Sequence, residues 1–266
     1  MDKNDLLARY RAGLDIVREA GALALDYYNR RGSLPIERKG LQDFVSEADK
    51  KTEDLIVERL ARLFPDDSVL GEEDGLRQKG PLLWVIDPID GTSNFLRGIP
   101  HWCVSIGMIA EGRAVLGFLF NPVGNETFSA SAGGGAFLNG APIRVSDVAS
   151  LAQSSMGMGY AHRLPLAPYL SEMESALRSG IDCRTLGSGA LDIGYVAAGR
   201  LDAAYYGHIN LWDVAGGLAI LAEAGGLAND FMAGDAARDG NELLVATPAL
   251  YEPLRTLLLR AGRDSA

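Results

Sequence analysis

The stretch Trp84-Val85-Ile86-Asp87-Pro88-Ile89-Asp90-Gly91-Thr92 constrains this chain more than any other. Apolar, strand-favouring residues run directly into a carboxylate, so a short buried strand delivers Asp87 to the edge of a core. Pro88 has no N–H to give a sheet ladder and reads as the end of that strand. Asp90 follows three residues later on a tight turn. Two carboxylates this close repel each other by several kcal/mol at low dielectric unless a cation lies between them. Mg2+ takes hard oxygen ligands and keeps several waters, so the Asp pair together with the Ile89 carbonyl suits it. A short helix opening at Gly91-Thr92, with Ser93–Leu96 as its first turn, would aim backbone N–H groups at an anion above the turn. The blander reading of a bare pair of aspartates is a capping turn.

Three more carboxylates bear on the pair. Glu72 follows the apolar run Ser68–Leu70 and a glycine; alone it reads as solvated surface, and beside the aspartates it becomes a third ligand and a base for an attacking water. Asp213 follows Leu211-Trp212 and opens an apolar helix, where capping and metal ligation are compatible roles. Asp49 sits early in a helix, where it complements the dipole.

Around these sites the chain alternates in type. Apolar residues at helical spacing predict helices over 2–31, stopped by Gly32, and over 46–64, ended by Pro65. Strands are expected at Leu82–Ile86, Val104–Ile109, Ala114–Phe120 and Glu126–Ala130, with a hairpin at Gly112 and turns at Asn121-Pro122 and Asn139-Gly140. Beyond residue 150 come helices at Leu166–Leu177, Ala190–Ala198, Val214–Ala224 and Pro248–Leu259, with a strand ending at Tyr205-Tyr206. This is an α/β (α+β) pattern, one domain of residues 1–266 with packed halves of about 1–150 and 151–266.

The 266 residues carry a formal net charge of −10 and only two cysteines. Cys103 and Cys183 lie 80 positions apart in apolar segments and read as buried free thiols, which implies a reducing, cytoplasmic setting. No Lys/Arg run marks a nucleic-acid face, so no direct nucleic-acid partner is expected. No apolar run is long enough to span a membrane, and the charged, amphipathic start is not expected to be a secretory signal. An acidic protein repels phosphorylated substrates at long range, so a bound metal must reverse the sign locally if phosphate is handled here.

Four strings, Asp43-Phe-Val-Ser-Glu-Ala-Asp49, Gly71-Glu72-Glu73, Asp87-Pro-Ile-Asp-Gly-Thr92 and Leu211-Trp-Asp213-Val-Ala-Gly, together resemble the inositol monophosphatase family in order and spacing. The match runs from Lys39–Asp49 to Gly225-Gly226. The resemblance implies a layered αβαβα sandwich of the inositol monophosphatase/fructose-1,6-bisphosphatase type, a homodimer, and a lithium-sensitive site for two or three Mg2+ ions. It implies one metal on Glu72, Asp87 and the Ile89 carbonyl, and a second on Asp87, Asp90 and Asp213. A water activated there, oriented by Glu72 and Thr92 with Asp49 supporting Thr92, would attack the phosphate of a small soluble monoester. Ile89, Asp90, Gly91, Thr92 and Asp213 would surround the bound substrate.

On the leaving-group side, Gly187-Ser188-Gly189 resembles the family's contact loop, with Arg184 nearby as a substrate contact or an ion-pairing residue. Tyr206 stands where many inositol phosphatases carry a Glu that bonds substrate hydroxyls. A Tyr hydroxyl can bond a hydroxyl too, and its ring can stack on a sugar. Inositol monophosphate is the leading substrate; fructose 1,6-bisphosphate, 3′-phosphoadenosine 5′-phosphate and histidinol phosphate are the alternatives. His208 and Asn210 are loop residues that can stand in for the missing Glu, and His162-Arg163 is a pair able to reach a second phosphate. A regulatory protein that uses the same fold as a binding surface is the reading from a different class.

Overall fold

Apolar side chains recur on one face of the first helix, α1 (Lys3–Asn29), and bury Ile16, Val17, Ala20 and Ala24. Asp2 starts it, accepting hydrogen bonds from the amides of Asn4 and Asp5 at 2.8 and 2.9 Å. The computed structural model describes residues 2–33, 36–40 and 43–259, with side chains left out from 33 to 46. The side chains of Asp43–Ser46 in the first sequence string therefore lie outside the described residues. The backbone there forms a small antiparallel pair, β1 (Ile36–Gly40) and β2 (Asp43–Ser46). Helix α2 (Glu47–Leu63) follows.

The next stretch builds an eight-stranded sheet. Its strands are β3 (Ser68–Gly71), β4 (Gly75–Arg77), β5 (Leu83–Asp90), β6 (Cys103–Ala110), β7 (Arg113–Asn121), β8 (Glu126–Ser131), β9 (Gly135–Leu138) and β10 (Ala141–Pro142), with the short helix α3 (Thr92–Arg97) between β5 and β6. Pairing is antiparallel except between β3 and β5, which run parallel. The remaining chain alternates: β11 (Ser155–Gly159), α4 (Leu166–Arg178), β12 (Asp182–Arg184), α5 (Gly189–Ala197), β13 (Ala203–Ile209), α6 (Leu211–Glu223), β14 (Leu227–Ala228), α7 (Ala236–Asp239), β15 (Asn241–Ala246) and α8 (Pro248–Leu258). Those strands form a five-stranded sheet in the order β12-β11-β13-β15-β14.

Side-chain alternation along the strands then fixes the layers. Trp84 and Ile86 of β5 pack with Val17, Ala20 and Ile56 under α1 and α2, whereas Val85 faces Leu191, Ala215 and Ile220 of α5 and α6. In the second sheet Ala204, Leu243 and Val245 meet α5 and α6 from the other side, and Tyr205, Leu244 and Ala246 pack on Ala176, Leu250 and Leu254 of α4 and α8. The order helix, sheet, helix, sheet, helix is the expected αβαβα sandwich. Each fully buried Leu, Ile or Phe contributes roughly 1.5–3 kcal/mol, so three such clusters supply the gross stabilisation. Helix α6 is buried between two sheets, which is why its sequence is apolar all round. It approaches β7 so closely that a Cβ on Gly117 would stand 2.1 Å from the Gly216 carbonyl oxygen.

Three expectations need correction. Strand β5 does not stop at Pro88: it runs to Asp90. Pro88 and Ile89 together oppose Val104, a bulge that accommodates a residue without an N–H. The second sheet carries a similar irregularity, where β13 continues past Tyr206 to Ile209 with Gly207 and His208 in the bulge. Cys183, on edge strand β12, is only partly buried, although both cysteines are free thiols. Among the described residues no helix is long and apolar enough to cross a membrane.

Candidate metal and phosphate site

The bulge in β5 brings both of its carboxylates to one place. Because the extra residue shifts the register, Asp87 and Asp90 both approach the N-terminal turn of α6, where Asp213 sits. Ligand oxygens of Asp87, Asp90 and Asp213 lie within 4.8 Å of one another. Asp87 is 1% exposed and Asp90 7%.

Each carboxylate is oriented by backbone. The Ile89 amide donates to Oδ1 of Asp87 at 2.9 Å. Asp90 accepts from the Ser188 hydroxyl, from the Gly189 amide at 3.2 Å and from the Ala190 amide at 2.9 Å. Asp213 is not an N-cap: Asn210 caps α6, and Asp213, in its first turn, accepts the Asn210 amide at 2.9 Å in a capping box. One of its oxygens caps the helix and leaves the other for the cluster.

Electrostatics give the test of fit. Burial first, then the charges of Glu72, Asp90 and Asp213, hold the Asp87 carboxyl far above the usual carboxylate range. Burial and the neighbouring Asp213 push Asp90 up to about 7. Burial also raises Asp213, against the pull of its hydrogen bonds. Three crowded carboxylates with no cation must take up protons; a divalent cation removes that need and matches an all-oxygen donor set. The residues therefore fit a hard divalent cation.

The remaining expected residues distribute around this cluster. Glu72 follows the last residue of β3, its amide bonded to the Ile86 carbonyl at 3.2 Å, and its charge acts on Asp87, although it stands outside the three-carboxylate group. The Thr92 hydroxyl lies 3.0 Å from the Ile89 carbonyl oxygen and 3.4 Å from Oδ1 of buried Asp49. Gly91 has φ +94°, a conformation that favours glycine, and α3 begins at Thr92 with no side chain on its leading amides. Asp90, Arg163, Gly187, Ser188, Gly189, Tyr206, His208, Asn210 and Asp213 line one open cavity of about 280 Å³.

Within that wall, roles differ from the sequence expectations. Ser188 and Gly189 bind Asp90 and so orient its carboxylate. Tyr206 is buried, and its hydroxyl donates to Oδ2 of Asp192 at 2.5 Å. Arg184 turns to Asp182 and, at 3.1 Å, to the Ser155 hydroxyl; Thr185, not Arg184, lines the cavity. Arg184 is thus the ion-pairing residue of its two sequence alternatives.

Two residues that brace the site escaped the sequence reading. Asp192, fully buried in α5, holds Tyr206 and lies 3.7 Å from Nε2 of His101. Its signal was a lone carboxylate within the apolar run Gly189–Ala197. Asn94 donates to the carbonyls of His101 and Leu186, both at 2.8 Å, which ties α3 to the loop before α5. An Asn in mid-helix carries no sequence signal for that.

Fold and cluster together define a layered α/β protein with a carboxylate cluster gathered at strand and helix ends. The chain belongs to the inositol monophosphatase family, whose family model matches residues 6–261. It is 41% identical over 223 residues to a Xylella fastidiosa protein named Nus factor SuhB, covering 83% of this chain and 81% of that one. It is 39% identical over 219 residues to the Thermotoga maritima fructose-1,6-bisphosphatase/inositol-1-monophosphatase, covering 82% and 83%. The solved structure of extragenic suppressor protein SuhB from Bartonella henselae superposes with a TM-score of 0.88 at 31% identity, covering 97% of this chain and all of that one.

Proposed function

We propose that this protein is a Mg2+-dependent phosphatase that hydrolyses a small soluble phosphate monoester. The observation that carries the reading is the buried cluster of Asp87, Asp90 and Asp213. These three, with Glu72 and the Ile89 carbonyl, would hold the two or three cations. Bound there, Mg2+ supplies positive charge to the phosphate and lowers the pKa of water toward 7.

The chain's own residues do the rest. Amides of Gly91 and Thr92 donate to phosphate oxygens and fix the group in line for attack. The Thr92 hydroxyl, held between Ile89 and Asp49, positions the attacking water. Glu72 takes its proton on a carboxylate oxygen. A P–O bond forms to that water as the P–O bond to the leaving oxygen breaks; the leaving oxygen takes a proton from solvent and the alcohol departs into the cavity lined by Ser188, Tyr206 and Asn210.

Inositol monophosphate is the reference substrate, supported by the family relation and by the name of the Thermotoga relative. Fructose 1,6-bisphosphate rests on that same name; 3′-phosphoadenosine 5′-phosphate and histidinol phosphate complete the panel. Lithium inhibition, a homodimer and a cytoplasmic setting belong to this reading, the last supported by two free thiols. Phosphate release with Mg2+, abolished by EDTA, tests it; no release from any panel member counts against it.

A second reading, a regulatory role through protein contact, is supported by the name of the Xylella relative. The two separate on one variant. A contact role survives Asp90→Asn, which leaves the surface intact, and a catalytic role does not.

A further inference from the structure

We infer that Arg163 reads a second negative charge on the leaving group, so that this site prefers phosphate esters of acids, or of alcohols carrying another phosphate, over esters of neutral polyols. The inference rests on the phosphatase reading and names its substrate class.

Among the described residues lining the cavity above Asp90 and Asp213, Arg163 is the single Lys or Arg. Its Nη2 lies 2.6 Å from Nδ1 of His208 and 3.2 Å from Oδ1 of Asn210. Nε2 of His208 lies 2.7 Å from the Asp239 carbonyl oxygen. A carbonyl can only accept, so Nε2 carries the hydrogen and Nδ1 is left to accept from Arg163. Both partners of the guanidinium are therefore neutral. They hold it in place without cancelling its charge, and they leave the Nε and Nη1 donors for a ligand. The carboxylates on the same cavity wall are Asp90 and Asp213. Both belong to the cation cluster, and their negative charge is what a bound cation takes up.

The loop that carries Arg163 is anchored. The Tyr160 hydroxyl donates to the Leu164 carbonyl at 2.8 Å, and the Tyr160 and Tyr169 rings lie 5.0 Å apart. The facing wall points the same way. At position 206 a carboxylate would repel an anionic leaving group, and the Tyr there has its hydroxyl committed to Asp192. The cavity thus presents a fixed guanidinium. A guanidinium favours an anion, and its planar fork of donors matches either carboxylate or phosphate.

The test compares matched substrate pairs with Mg2+ present, on wild type, Arg163→Ala and Arg163→Lys. One pair is 2-phosphoglycerate against glycerol 2-phosphate, where the added group is a carboxylate. The other is fructose 1,6-bisphosphate against fructose 1-phosphate, where it is a phosphate. Wild type should favour the charged member of at least one pair, and that pair identifies the anion. In Arg163→Ala the charged-to-neutral ratio of kcat/KM should fall about 10- to 100-fold, mostly through KM, with partial recovery in Arg163→Lys. A ratio that moves less than twofold, or a wild type that prefers the neutral member of both pairs, overturns the inference. Calorimetric binding of 2-phosphoglycerate and of fructose 1,6-bisphosphate gives a reading independent of turnover. Wild-type protein that hydrolyses nothing yet binds either compound about tenfold more tightly than Arg163→Ala defeats the phosphatase reading and retains the anion site; affinities within twofold for both, or no binding of either, defeat the anion site itself.

Discussion

The main-chain amide of Ala190 donates to Oδ2 of Asp90 at 2.9 Å, across 100 residues of chain. One carboxylate thereby closes the start of α5 and completes the acidic cluster, so the central helix layer and the candidate cation site are tied at a single side chain. Asn keeps one oxygen to accept from the Ala190 amide and the Ser188 hydroxyl, gives up the acceptor of the longer Gly189 bond, and removes the charge. Asp90→Asn should lower phosphate release by about 10²-fold or more and weaken Mg2+ binding, with an unchanged circular dichroism spectrum. Wild-type turnover in this variant would remove Asp90 from the site.

Metal removal should make stability fall as pH rises. The Asp87, Asp90 and Asp213 carboxyls are all raised in the folded state by burial first; neighbouring carboxylate charge adds to this at Asp87 and Asp90, and hydrogen bonds oppose it at Asp213. Between the unfolded value near 3.8 and the folded value of about 7 for Asp90, the folded chain holds more protons than the unfolded one. Stability therefore decreases with pH through that window. EDTA-treated protein should lose on the order of a few kcal/mol between pH 5 and pH 7.5 in urea unfolding, and saturating Mg2+ should remove most of the slope. A flat profile without metal would contradict the crowded-carboxylate account.

Tyr206 is a support as much as a wall. Removing its hydroxyl leaves Oδ2 of Asp192, a fully buried residue, without its donor. Tyr206→Phe should cost about 1–3 kcal/mol of stability. Urea midpoints of the purified variant check the value, and a cost below about 0.5 kcal/mol would mean that Asp192 draws its support elsewhere.

Gly91 is needed for its backbone. With φ at +94°, a Cβ there would stand 3.0 Å from the Gly187 carbonyl oxygen and 3.2 Å from that of His101. Gly91→Ala should displace the Gly91 and Thr92 amides and lower kcat at least about tenfold, with strain of about 1–2 kcal/mol. Unchanged kcat would exclude those amides from the phosphate seat.

Much of this was legible in the chain because the determinants are local. A layered α/β sandwich follows from apolar helices such as Val214–Ala224 and from short apolar strand runs, and the αβαβα order is what the family resemblance adds. The Asp87-Pro-Ile-Asp90-Gly-Thr92 string announces a carboxylate pair beside a turn. Sequence did not reveal how the pair is assembled. Pro88 reads as a strand end, and only pairing with β6 turns it into a bulge. The capping geometry of Asp213 depends on Asn210, one position before the helix. The sequence left two roles open for Arg184 and marked Arg163 only as one of a pair able to reach a second phosphate; tertiary contact sends Arg184 to Asp182 and Arg163 to the cavity wall. Asp192 stands out as a lone carboxylate in an apolar run, but its role was not legible because its partner, Tyr206, comes from a different element.

The central claim is that the buried carboxylates hold Mg2+ for phosphate hydrolysis. It is tested most directly by measuring phosphate release from inositol 1-phosphate, fructose 1,6-bisphosphate, 3′-phosphoadenosine 5′-phosphate, histidinol phosphate and glycerol 2-phosphate, with Mg2+ and with EDTA. The account predicts release from at least one of them that requires Mg2+ and disappears in EDTA and in Asp90→Asn. Release that persists in EDTA, or none from any compound, would contradict it.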